Sequence, residues 1–447
     1  MTQEKSGAPR ASLSVVDGAL MMVGIIIGIG IFKTPQIVAL NVSSEAWFIG
    51  AWVLGGVATL IGALVYAELA AAYPSTGGEY HFLTRAYGQP VGFLFAWART
   101  TVIQTGAIAA VCFVLGDYAQ QIWSLGDYGA AIYGAVGLFV LTLVNLAGTY
   151  ESKTAQNVLT VLESSALAAI ALVGFIYGGG AAPAAAPAMA NSFGAFGLAM
   201  VLVLITYGGW NEAAYLSADL KNVKRDMIRI LMTGTIVVTI LYVLINIAYL
   251  NVLGLEGLRK SDAVAATVMR TAFGPVGAII LSVIVICAAA STINASIFTG
   301  ARVYHALGQD LQLERLRIWH VEGNNPRNAI IVQSLISFAL IFFGALSQDG
   351  FLGMVLYTSP VFWFFIILVG ISVFVLRHKD PNRERPFRVP LYPITPILFC
   401  LMCGYMLYSS LVYAASKEAN IAGWIGIGVL LLGVPLMFFA RGKRQSA

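Results

Sequence analysis

Two glycine clusters interrupt apolar stretches that would otherwise read as continuous helix. The first is Gly24-Ile25-Ile26-Ile27-Gly28-Ile29-Gly30-Ile31-Phe32, and the second is Tyr207-Gly208-Gly209-Trp210. Glycine in a helix interior costs roughly 1 kcal/mol relative to alanine, so each cluster predicts a break partway along its helix. In an apolar environment the backbone groups freed by a break are tolerated only where they line a cavity or meet a ligand. Past Gly28–Gly30, the N-terminus of the second half-helix offers free N–H groups and a positive dipole end, which suit a carboxylate. At Tyr207–Gly209, the carbonyls that end the first half-helix suit an ammonium group. The two breaks together describe a receptor for a zwitterionic α-amino acid, its side chain left to a neighbouring pocket. Tyr207 and Trp210 are candidates for a wall or gate of that pocket, or for packing between helices.

The elements that must carry these breaks follow from composition. Of 447 residues, 59% are hydrophobic and 11% charged, too few charges to cover a water-soluble fold, where roughly 25% is typical. Several apolar runs exceed the roughly 20 residues that span a bilayer. Helices satisfy their own backbone there, whereas the alternation of a β-barrel is absent. The chain therefore reads as an all-α polytopic membrane protein, a single transmembrane domain over residues 1–447 with the lipid bilayer as its surroundings. About 12 transmembrane helices are predicted, near 14–40, 46–72, 90–117, 128–148, 153–178, 193–217, 228–252, 276–307, 328–347, 350–376, 391–415 and 421–440. Met1 to Ser14 has no cleavage site, so the first run is expected to be a retained span.

With the N-terminus inside, the cytoplasmic face holds 20 of the 26 lysines and arginines, so the positive-inside rule places both termini in the cytoplasm. The net charge of +5 is thereby read as topology rather than as affinity for nucleic acid. Cys112, Cys287, Cys400 and Cys403 all lie in apolar runs. The CxxC spacing of Cys400 and Cys403 has no second pair or nearby His to complete a zinc site, so no metal and no cofactor is expected.

Five predicted spans separate the two glycine clusters, which puts them at equivalent places in two halves. That predicts an inverted repeat with discontinuous helices 1 and 6: a first repeat of about 14–178, a second of about 193–376, and two extra helices at about 391–440. The alternative is that the glycines only let helices pack closely.

The chain resembles the amino acid–polyamine–organocation superfamily, especially its L-type amino acid transporter branch. GIIIGIGIF is similar to that family's first-span break, and TYGGWNEAAYLSADLKN to its sixth-span signature. YPSTGGEYHFL, STINASIFTGARVYHALGQD and RPFRVPLYPITPILF agree in the same order along nearly the whole chain. The resemblance implies the leucine-transporter-type 5+5 fold and a substrate site between spans 1, 3, 6, 8 and 10. Gly28, Ile29 and Gly30 fall on the positions that hold the substrate carboxylate, and Ile205, Thr206 and Gly208 on those whose carbonyls hold the amino group. Ile29 stands where the family usually has a small polar residue, which leaves the carboxylate to backbone N–H groups. Val223 replaces the usual proline after Lys221-Asn222.

In span 5, Glu163 stands where many sodium-independent relatives have a lysine. A buried carboxylate must neutralise or find a partner. Glu163 shares a helical stripe with Gln156 and Thr160 and should face the protein interior. Through the family fold, Ser291 and Thr292 of span 8 are its expected neighbours. The reading is that Glu163 couples transport to a proton, with sodium the second choice; the alternative is a structural ion pair with Arg99. Glu212, where relatives often carry an uncharged residue, is a candidate selector of a cationic side chain or a structural hydrogen-bonding group. Arg99 is expected to pair with a glutamate, Glu68 to anchor the loop after span 2, and Asp117 and Asp127 to lie in an outer loop. His81 and His305 are placed near the inner face in solvated or hydrogen-bonded roles.

The expected function is a secondary active transporter of L-amino acids in the inner membrane, sodium-independent and either proton-coupled or exchanging. A cationic amino acid or polyamine antiporter is the alternative. An enzyme is disfavoured, since HExxH, GxSxG and paired intramembrane aspartates are absent. A channel would call for a ring of charges or a symmetric pore. The loop from Asp117 to Tyr128 has no cysteine, so a disulfide-linked glycoprotein partner, known among animal relatives, is not expected.

Overall fold

The computed structural model describes residues 22–24, 26–75, 77–147, 153–178, 193–211, 223–310, 315–316, 318, 326–347, 349–415 and 421–445. Among these every regular element is helical. The helices are α1 (Gly30–Leu40), α2 (Glu45–Ala72), α3 (Gly78–Tyr87), α4 (Gln89–Ala98), α5 (Gln104–Gln120), α6 (Gly129–Leu146) and α7 (Lys153–Ile176). They continue with α8 (Phe193–Thr206), α9 (Val223–Arg259), α10 (Val264–Asp310), α11 (Arg327–Ala345), α12 (Gly350–Lys379), α13 (Ile394–Ala414) and α14 (Ala422–Gln445). A π-helical turn, Arg99–Ile103, joins α4 to α5 in one rod. Among the described residues, eight helices are long and apolar enough to cross a membrane: α2, the α4–α5 rod, α6, α9, α10, α11, α12 and α13.

Local chemistry sets several boundaries. Ser44 caps α2 by accepting from the Trp47 N–H at 3.3 Å, and Asp349 caps α12 by accepting from the Leu352 N–H at 3.0 Å. Each satisfies a first-turn donor that has no intrahelical acceptor. α2 stops at Tyr73, whose backbone leaves the helical region ahead of Pro74.

α1 and α8 pack on each other in the middle of the bundle, and every residue from Ile31 to Ala39 of α1 is buried. Around them α2 packs on α9, α5 on α10 and α6 on α11, while α1 also contacts α9 and α8 contacts α2. α5 further packs on α12, and α7 on α10. At the periphery, Ile132, Val136, Phe139, Val140 and Leu143 of α6 are exposed at helical spacing, an apolar stripe suited to lipid.

Two expectations about charged residues are corrected. Asp117 is not in a loop: it lies in the last turn of α5, where its carboxylate turns inward to the Lys33 ammonium at 2.9 Å. Glu68 does not anchor the segment after α2. It takes two hydrogen bonds from Arg377 at the end of α12, at 2.8 and 2.6 Å, and one from the Val389 N–H at 2.7 Å, because that carboxylate is buried and needs donors on both oxygens. Arg99 pairs with a glutamate as expected, and the partner is Glu79 of α3.

Candidate functional site

Both glycine clusters interrupt their helices. Residues Ile27 to Ile29 belong to no helix, although Ile29 itself keeps helical φ and ψ, and α1 begins at Gly30 without a side-chain cap. Of the first-turn N–H groups of α1, that of Phe32 donates to the Ile29 carbonyl at 3.1 Å, while those of Gly30 and Ile31 have no acceptor within the helix. α8 ends at Thr206, and its final turn tightens so that the Gly208 N–H donates to the Ile205 carbonyl at 2.9 Å. Gly209 then takes a φ of +97°, a conformation open to glycine at little cost. The breaks lie against each other: a Cβ on Gly30 would stand 3.2 Å from the Thr206 side chain, so Gly30 is what permits the approach. The Thr206 and Thr34 hydroxyl oxygens are 2.8 Å apart across the junction.

Freed carbonyls are met by tyrosines. The buried Tyr242 hydroxyl of α9 donates to the Ile26 carbonyl at 2.8 Å and faces the Thr206 carbonyl at 3.3 Å, touching both breaks. Tyr118 donates to the Phe32 carbonyl at 3.0 Å. In the π turn, where the hydrogen-bond register slips, the Thr100 and Thr101 carbonyls accept from Tyr304 and Tyr357 at 2.6 and 3.0 Å. A phenol is well suited to this, carrying its single donor on an apolar ring.

The two breaks open onto a cavity of about 370 Å³, within the usual range for small-molecule sites. Gly28, Ile29, Gly30, Ile205, Thr206, Gly208 and Gly209 line it, together with Thr292 of α10. The other named side chains lie elsewhere. Tyr207 is fully buried against Trp52 and Tyr242, with its hydroxyl donating to the Trp52 carbonyl at 2.9 Å. Trp210 packs edge-on against Tyr66 and Phe399, beside Gly62, where a Cβ would collide with the Trp210 and Phe399 rings. Ser291 is buried without lining the cavity. Glu163 is on α7 with its side chain outside the described residues, as is the whole of Glu212.

Further residues complete the wall. Ile103 ends the π turn and Gly106, Ala107 and Ala110 follow it, Phe351, Val355, Thr358 and Phe362 come from α12, and Thr34 and Asn211 flank the breaks. The run of small residues at 106, 107 and 110 was a readable sign of space; nothing in the sequence marked Phe351 or Phe362. Among the described residues no charged side chain lines the cavity. Thr292 donates to the Ala288 carbonyl at 3.1 Å and Thr358 to the carbonyls of its own helix, so both turn methyl groups and acceptor lone pairs to the space.

A second cavity, of about 220 Å³, lies at the end of the bundle where α5 finishes and α12 starts. Asp117, Asp127, Asp262 and Asp349 line it with Lys33, and Phe351 borders both cavities. Lys33, only 3% exposed, is 2.9 Å from Asp117 and 3.5 Å from Asp349. Gln36 donates to Asp262 at 3.2 Å, and Arg259 donates to the Ala39 carbonyl in the last turn of α1 and to the Val42 carbonyl just past it. We call this the acidic end.

The opposite, basic end carries the Glu68–Arg377 pair and Asp380, which accepts from Arg85 at 3.0 Å and from Tyr73 at 3.0 Å. Those hydrogen bonds hold the Asp380 carboxyl below the ordinary aspartate range. Burial, with Arg85 and Arg383 nearby, keeps the His81 imidazole below its ordinary value. His305 has a ring nitrogen 3.2 Å from the Leu316 carbonyl.

The profile of the amino acid permease family matches residues 13–434. A serine/threonine exchanger of Bacillus subtilis is similar at 27% identity over 450 residues, covering 100% of both chains. The b(0,+)-type amino acid transporter 1 of Homo sapiens is 28% identical over 428 residues, 93% of this chain and 86% of its own length. The cystine/glutamate transporter of Homo sapiens is 27% identical over 445 residues, 98% of this chain and 86% of its own.

Proposed function

The chain belongs to the amino acid permease family, within the amino acid–polyamine–organocation superfamily, and from that premise we propose that it carries L-amino acids across a cell's inner membrane by alternating access, independently of sodium, exchanging one amino acid for another. It is a transporter and not an enzyme. The observation that carries the reading is the meeting of two interrupted helices on one cavity. Gly28 to Gly30 bring the N–H groups of a helix start, for the substrate carboxylate. Ile205, Thr206 and Gly208 bring carbonyls for its ammonium group. A lining without charged side chains among the described residues suits a neutral amino acid side chain.

The packing supports a 5+5 inverted repeat. Numbering the elements as ten spans, α1 pairs with α8, α2 with α9, α5 with α10 and α6 with α11, each partner five spans on. The cross contacts exchange as well: α1 with α9 mirrors α8 with α2, and α7 with α10 mirrors α12 with α5. A two-fold operation relating the halves requires this exchange; mere close packing at glycines does not. With the last two helices added, the count is twelve spans.

Basic residues favour the Arg377 end as cytoplasmic, which makes the acidic end the outer one. Closure there rests on Lys33 and Phe351 between the vestibule and the cavity. Exchange is supported by the likeness to an exchanger over the whole chain. A proton taken by Glu163 is the coupling that exchange would replace.

Purified protein in liposomes tests all of this. Uptake of labelled L-amino acids should saturate, should need amino acid inside, and should ignore sodium and a pH gradient. Uptake driven by a pH gradient and abolished by Glu163→Gln would replace exchange with proton coupling. Competition by lysine, arginine or polyamines stronger than that by neutral amino acids would assign Glu212 to a cationic substrate instead.

A further inference from the structure

One buried carboxylate at the basic end joins three elements. Glu79, in the first turn of α3 and 2% exposed, accepts on Oε1 from the Tyr66 hydroxyl at 3.0 Å and from Asn211 Nδ2 at 2.8 Å. Its Oε2 faces Arg99 Nη1 of the π turn at 3.3 Å. Glu79 lies outside the cavity, whereas Asn211 lines it, directly after the break in α8.

The direction of these bonds has a chemical consequence. A carboxylate opposite a guanidinium accepts and does not donate. An amide beside it must therefore present its NH₂, since its own oxygen would meet another acceptor. With the nitrogen held by Glu79, the atom Asn211 can offer the cavity is its carbonyl Oδ1. That oxygen follows the carbonyls of Ile205, Thr206 and Gly208 in sequence, and adds an acceptor of the kind an ammonium group needs. A flipped amide would put a donor there and oppose the same group.

We propose that Glu79 is a positioning residue for substrate recognition, fixing the Asn211 carboxamide so that its oxygen accepts from the ammonium group of the transported amino acid. This rests on the cavity being the amino acid site. Tyr66 and Arg99 hold Glu79 in turn, which ties recognition at the break to α3, a short helix that itself lies apart from the cavity.

The test is initial-rate uptake into liposomes, using the labelled L-amino acid that wild type carries fastest. Glu79→Gln, which lets the amide turn, is expected to raise KM roughly tenfold, about the worth of one hydrogen bond to a charged group, with the maximal rate little changed. The double variant Glu79→Gln/Asn211→Asp reverses the polarity of the pair. An acceptor then faces the cavity again, and KM should return to near the wild-type value. Glu68→Gln alters another buried carboxylate at the same end, which bonds Arg377 and the Val389 N–H and not Asn211, and should leave KM unchanged. Asn211→Ser should raise KM like Glu79→Gln, and keeps the test open if the Glu79 variant does not fold. The proposal is overturned if Glu79→Gln or Asn211→Ser leaves KM unchanged, if the double variant is no better than Glu79→Gln, or if Glu68→Gln raises KM equally. Absence of saturable uptake by wild type would overturn the reading of the cavity itself.

Discussion

The two ends of the bundle are held in different ways. At the acidic end, the contacts converge on an interrupted helix: Lys33, Gln36 and the carbonyls at and just past the end of α1 are gripped by Asp117, Asp349, Asp262 and Arg259 from four other segments. At the basic end, the charged contacts other than those of Glu79 pass between uninterrupted parts. Glu68 of α2 holds Arg377 and Val389, Asp380 holds Arg85 and Tyr73, Lys379 donates to the Ala86 carbonyl and Arg383 to that of Ala72. Among the described residues, these bonds leave out α1 and α8. Contacts gathered around one buried ammonium therefore secure the interrupted helix, which the proposed alternating access would move, while bonds shared between continuous helices secure the frame.

The sharpest way to break this contrast is Lys33→Met. It strands the Asp117 carboxylate without its cation, and removal of one member of a buried pair costs about 3 to 5 kcal/mol. A large fall in melting temperature in detergent and loss of uptake are expected. Adding Asp117→Asn should restore much of the stability but not gated exchange. A next, smaller effect is expected from Glu68→Gln, about 2 kcal/mol for weakened charge-assisted bonds; Arg377 keeps its place over the Tyr392 ring at 3.7 Å. Here melting temperature should fall while KM stays the same, as befits a frame. A rise in KM with no loss of stability would assign this end to the site instead.

Phe351→Ala joins the two cavities and should loosen exchange, read as a several-fold rise in efflux without external amino acid. The smallest effect is that of Asp380→Asn at an exposed site. Because the folded state holds this carboxyl below its ordinary value, its contribution is present above about pH 4 and is lost as pH falls through the depressed value. The difference in melting temperature between wild type and variant should therefore shrink as pH is lowered from 6 towards 3; a difference that grew on acidification would contradict the Arg85 contact.

Backbone features were the legible ones. Gly28, Gly30 and the break at Tyr207–Gly209 could be read because glycine in an apolar helix is costly enough to demand a reason, whereas Ile205 and Thr206 entered only through the family resemblance. Side-chain directions could not. Tyr207 and Trp210 flank a break, yet both rings turn to α2, where Trp52, Tyr66 and Gly62 make a closer fit than the cavity does. Asn211 stands inside a recognised signature, but its role depends on Glu79, far earlier in the chain. Asp117 reads as a loop acid until its ammonium partner, Lys33, is brought beside it from another helix. Tyr242 looks like any aromatic in an apolar run, and only its register against two distant breaks gives it meaning.

That register has a consequence of its own. A phenol carries one proton, so the Ile26 and Thr206 carbonyls compete for it, at 2.8 and 3.3 Å. A shift of about half an ångström between the two interrupted helices would hand the proton from one carbonyl to the other while the sum of hydrogen bonding in the dry core stayed level. The junction of the two breaks would thus keep one such bond in either setting, like a toggle whose two contacts share a single wire.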